Sequence, residues 1–137
     1  MSNIITSTTP AQDVVTVLSA AGHGGLGVDL WVGSEPDGTG VLDNVITVYD
    51  TTPHRPPEIN YSFEYPSIQV RVRRKPGLGQ VCREKALSLM NSLHGYVGEV
   101  GAIKYHAIRV VSGPISLGED ERGRPRYVFN CNLERSL

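Results

Sequence analysis

The sequence predicts an α+β fold: one mainly antiparallel sheet with two helices packed on one face and a long C-terminal β-hairpin. Three observations predict it. The first is the order helix, strand, strand, strand, helix, strand, strand, which lacks the strict alternation of a doubly wound sheet. The second is the run Ser67 to Arg73, where Ile68, Val70 and Val72 face one way and Gln69, Arg71 and Arg73 the other. That alternation describes a half-buried antiparallel strand. The third is the last third of the chain. There Tyr105 to Val111 reads as a strand, Ser112-Gly113-Pro114 as a break and Leu117 to Pro125 as a charged turn, before a second strand from Arg126 to Arg135.

Each element has a local cause. Thr9, Pro10 and Gln12 form a capping box with proline at the first helical position, which starts a helix over Pro10 to Ala21. Val14, Val17, Leu18 and Ala21 give it one apolar face, and Gly22 ends it. A short strand, Asp29 to Val32, carries the single tryptophan, Trp31. Residues Gly33 to Gly40 are turn chemistry. Val45 to Asp50 is β-rich and mostly apolar, which predicts a strand covered on both faces. Thr51 to Tyr65, with Pro53, Pro56 and Pro57, predicts a long loop, a kind that is usually functional or flexible. A second helix over Gly79 to His94 buries Cys82, Ala86, Leu89, Met90 and Leu93, and Gly95 closes it.

The bulk numbers exclude several classes. A chain of 137 residues fits a single domain, 1–137, with no need of staples. A formal net charge of −1 gives no pull towards nucleic acid or an anionic membrane. Fifteen glycines and nine prolines exceed the background of about 12% for the two together, so several long loops are expected. Cys82 and Cys131 form no CxxC and read as reduced, buried thiols. Met1 to Thr9 lack the basic start and apolar run of a signal peptide, and no stretch is apolar enough to span a bilayer.

Motifs for chemistry are weak. Gly22-His23-Gly24-Gly25-Leu26-Gly27 matches GxGxxG, but it follows a helix and enters a strand, the reverse of a dinucleotide site, and reads as a flexible connection. His23, His54, His94 and His106 lack the helical spacing of a zinc site. Glu119 to Arg124 fails as a calcium loop because Arg122 occupies a ligand position. No Ser, Cys or Thr stands in a nucleophile motif. No catalytic, metal or cofactor residue is therefore assigned. Arg71, Arg73 and Arg74 form a basic strand face, and Glu119, Asp120, Arg122 and Arg124 a charged tip. Each reads either as a solvated face or turn or as a surface that pairs with opposite charges at an interface with a subunit or partner, and the interface is the expectation carried forward.

The C-terminal half resembles the tail terminator and minor capsid proteins of long-tailed bacteriophages. The resemblance rests on Tyr65-Pro66-Ser67-Ile68-Gln69-Val70-Arg71-Val72-Arg73, on the helix Val81 to Leu93, and on Gly113 to Arg124 leading into Tyr127 to Leu133. It implies a virion structural protein without catalysis or cofactor, forming a hexameric ring that ends tail-tube growth. Its implied partners are further copies of itself, the tail tube protein and the head–neck connector protein, with no membrane. DNA would pass through the ring without sequence-specific binding. The implied location is the virion tail or neck, and the host cytoplasm during assembly. The Gly22 to Gly40 stretch has no family counterpart. Two alternatives stay open: another neck or head-completion protein, and a small phosphate-ligand-binding domain using Arg71 to Lys75 and the Gly77 to Gly79 helix start.

Overall fold

The computed structural model describes residues 8–59 and 62–137. The first seven residues and two residues of the proline loop fall outside them. The elements are α1 (Pro10–Ala20), β1 (Leu30–Val32), β2 (Val45–Arg55), β3 (Tyr65–Arg73), α2 (Gly79–Leu93), β4 (Gly98–Val100), β5 (Ile103–Glu119) and β6 (Pro125–Ser136). The six strands form one sheet in the order β1-β2-β3-β6-β5-β4. Every strand pair is antiparallel except β1 with β2. Both helices pack against the sheet in one core, which joins Val14 and Leu18 of α1 and Ala86, Leu89 and Leu93 of α2 to Ile68, Val70, Val72, Phe129, Cys131 and Leu133.

Local causes hold as the sequence reads. The Thr9 hydroxyl accepts the Gln12 N–H at 3.2 Å, capping α1. Val14, Val17 and Leu18 are buried, joined by Ala11 and Val15, whereas Ala21 is exposed. Gly22 and Gly95 follow the two helices with positive φ. Cys82 and Cys131 are free and buried, and burial pushes the Cys131 thiol up to about 12.

One buried polar cluster interrupts this core. Asp13 on α1 is 1% exposed. Its Oδ2 accepts from the Tyr105 hydroxyl at 2.5 Å and from Arg135 at 3.2 Å, and its Oδ1 accepts from the Thr8 hydroxyl at 2.7 Å. A carboxylate can be buried only when it is paired in this way. Arg135 also grips Glu64 at 2.9 Å, so the cluster ties α1 to the ends of β5, β6 and β3.

Four expectations need correction. First, β3 is not half-buried: it lies between β2 and β6, and its polar side is covered as well, with Arg73 only 1% exposed. Second, residues 51–55 are not loop but the far half of β2, where Arg55 pairs with Tyr65 after an irregularity and His54 bonds the Leu133 carbonyl at 2.9 Å. Third, a short strand, β4, stands before β5 and turns into it at Gly101. Fourth, the Ser112-Gly113-Pro114 break does not end the strand, and β5 runs on to Glu119 with register shifts. Gly113 sits at φ +118 with Phe129 so close that an added Cβ would lie 2.5 Å from Phe129 Cβ. A glycine signal inside a strand thus marks a bulge and a close approach rather than a stop.

Candidate assembly surface

The parallel pairing of β1 with β2 demands a crossover, because two strands running the same way cannot be joined by a tight turn. Residues 33–44 make that crossover. They are the Gly- and Pro-rich stretch, and they lie across the sheet opposite the helices. Three acids ride on it: Glu35, Asp37 and Asp43.

These acids meet the predicted interface arginines. Glu35 binds Arg71 and Arg73, each at 3.2 Å. Arg73 also donates to the carbonyls of Pro36 at 2.7 Å, Leu42 at 2.9 Å and Asp43 at 3.0 Å. Arg124, with 4% of its side chain exposed, binds Asp120 at 2.8 Å, Asp37 at 3.1 Å and Asp43 at 3.4 Å. Asp120 further accepts the backbone N–H groups of Arg122 at 2.9 Å and Arg124 at 3.0 Å. Burial opposes ionisation of Asp120, yet those N–H groups and the Arg124 guanidinium outweigh it and hold its pKa below the ordinary value.

The seven predicted residues therefore divide. Arg71, Arg73, Asp120, Arg122 and Arg124 come together in one network with the crossover. Arg74 stands apart: its backbone N–H bonds the Pro125 carbonyl at 3.1 Å and its guanidinium the Arg73 carbonyl at 3.0 Å. Glu119 is exposed at the end of β5. Arg122 is the outward member of the network, with 55% of its side chain exposed and Asp37 at 3.2 Å. Sequence reasoning missed Glu35, Asp37 and Asp43. The available signal was charge: three acids in a turn-rich stretch, matched to a basic run far along the chain.

The network bears on the phosphate-site alternative. Arg71 and Arg73 are already bound by a carboxylate, and Leu78, at the N-cap of α2, offers no side-chain cap. Among the described residues no group of His, Cys, Asp and Glu is placed to hold a metal ion, and no helix is long and apolar enough to cross a membrane. His23 is held between Ser92 at 2.7 Å and Lys85 at 2.9 Å, so it pins the 22–29 connection to α2.

Two stretches of strand edge lack a strand partner among the described residues. On one side of the sheet, β1 pairs with β2 only up to Val48. On the other, β4 pairs with β5 only up to Tyr105. Comparison with known proteins places these features in a family context. Residues 17–136 match the family described as "Bacteriophage tail terminator protein". The fold is similar to a chain of the solved structure titled "Virion of native gene transfer agent (GTA) particle", with a TM-score of 0.65 and 7% identity over 88% of this chain and 84% of that one. At that identity the likeness is one of fold. No curated protein matches the sequence.

Proposed function

The chain belongs to the bacteriophage tail terminator family, a family of phage structural proteins, and from that premise we propose that it is a ring subunit of the tail–neck junction. The ring caps the finished tail tube and joins it to the head–neck connector, so its partners are further copies, the tail tube protein and the connector protein. A hexamer is the oligomer the family resemblance favours. The whole chain acts as one terminator domain. Assembly takes place in the host cytoplasm, and DNA passes through the ring without sequence readout.

The observation that carries this reading is the position, on opposite sides of one sheet, of the two strand edges that lack a partner among the described residues. A subunit with different surfaces on opposite sides associates head to tail, and such contacts close into rings when the rotation per step is right. The charged tip adds register: Arg122 and the exposed Glu119 sit at its end, where charge pairs orient partners more than they add affinity.

Electron microscopy of the particle with this chain located tests the proposal. The expected result is a rotationally symmetric ring between tail tube and neck, and tails of unregulated length when the protein is missing. A two-fold dimer in the particle, or a position away from the tail end, overturns it.

A further inference from the structure

From the two strand edges left without a partner among the described residues we infer that neighbouring copies meet through a specific pair of surfaces: the distal half of β5 on one and a proline-walled cleft beside β2 on the next. The inference rests on the ring reading and says where the subunits touch.

The first surface is the part of β5 beyond Val110. It exposes Val111, Ile115 and Leu117 by 49%, 46% and 40%. Neighbouring apolar side chains left in water along a strand edge mark an interaction site more often than a solvated one. The strand ends at the exposed Glu119, and a second exposed acid, Glu121, follows in the turn.

The second surface is a cleft of about 280 Å³ beside the unpaired half of β2. Pro10, Pro53, Pro57, Pro66 and Tyr65 give it apolar walls. Arg55 lines it as well, in an exposed pair with Glu58 at 3.6 Å, with 58% of its side chain exposed and its guanidinium 4.2 Å over the Tyr65 ring. Apolar side chains fit the cleft, and the acids beyond them fit Arg55, whose own pair with Glu58 is exposed and weak enough to share.

The edges themselves explain why side chains rather than backbone make the contact. Each carries a proline, Pro53 or Pro114, and an irregular register. Prolines and bulges are the features that stop one sheet edge from adding to another. The surfaces are also offset along the strands. The free half of β2 faces β3 around residues 65–68, whereas the free half of β5 faces β6 residues 125–130, which pair with β3 around 69–73. Joining them staggers each sheet against the next, and a staggered circle closes when its strands tilt to the axis, as in a barrel.

Cross-linking tests the pairing. Thr51 lines the cleft and is exposed, as is Leu117, while both native cysteines are fully buried. Thr51→Cys/Leu117→Cys, treated in assembled particles with a short bismaleimide, should give a ladder of covalent multimers. The single variants should give none, and an equal mixture of the two should give dimers only. Ile115→Asp should fold normally and lower the assembled fraction by about tenfold or more, since a buried unpaired charge costs at least that much. Dimers of Leu117→Cys alone at the rate of the mixture, or no multimers from the double variant, overturn the inference. If particles still show a symmetric ring without cross-links, the inference falls and the ring stands. If multimers form but microscopy finds no ring, the contact stands and the ring falls.

Discussion

Arg73 Nη1 lies 3.2 Å from Glu35 Oε1, with Arg73 almost wholly buried beneath the 33–44 crossover. The strand at the centre of the sheet is thereby fastened to the stretch that reads most like a linker. A buried arginine of this kind is a folding residue, because its five donors serve four acceptors that would otherwise lose their partners.

Arg73→Ala should destabilise the fold by about 3–5 kcal/mol, the usual cost of breaking a buried pair. Arg73→Lys should lose much of the same stability, since an ammonium cannot reach acceptors arranged for a planar fork. Urea denaturation reads both. A lysine variant with the wild-type midpoint would show that the fork geometry is idle.

Arg122 and Arg124 should separate folding from assembly. Arg122→Glu replaces an exposed pair with an exposed contact between two acids, which solvent screens, and should leave the denaturation midpoint close to that of the unaltered protein. Arg124→Glu places an acid among Asp37, Asp43 and Asp120 and should prevent stable folding. If Arg122→Glu also completes particles at the normal rate, the tip is merely a turn.

Tyr105→Phe removes the hydroxyl that donates to Asp13 while leaving the ring in the core. The expected loss is about 1–3 kcal/mol, the penalty for leaving a buried acceptor short of a donor. Burial raises the Tyr105 pKa, and the bond to Asp13 adds to it. In spectrophotometric titration one tyrosine should therefore stay neutral until the protein unfolds in alkali.

The 22–29 connection should loosen in weak acid. Burial, and then the Lys85 charge, lower the His23 pKa from 6.5. A group whose folded pKa is depressed contributes stability that is complete above its unfolded value and lost as pH falls through the folded one. Protonation also removes the Nδ1 lone pair facing Lys85, whose own charge is opposed by burial and then by Arg74 and only partly supported by Asp29. Protection against hydrogen exchange at residues 22–29, corrected for the intrinsic pH dependence of exchange, should fall below pH 6.5, and His23→Gln should abolish that dependence. Unchanged protection down to pH 5 would remove His23 as the clasp.

Periodicity and capping by themselves determined the helices, the apolar faces of α1, β3 and α2, and the fold class, because these signals are local. Thr9 with Gln12, and Ile68, Val70 and Val72, need no distant partner to be read. Local signals misled at Gly113, where a bulge looks like a stop, and at residues 51–55, where prolines hide an edge strand. Charge singled out Arg71, Arg73, Asp120, Arg122 and Arg124 before any coordinates. Only the tertiary structure decided which of them turn inward. That choice depended on Glu35, Asp37 and Asp43, more than thirty residues from Arg71 and Arg73 and more than eighty from Arg124. A crossover forced by parallel pairing laid them over the sheet, and no pattern along the chain records a contact made by folding back across it.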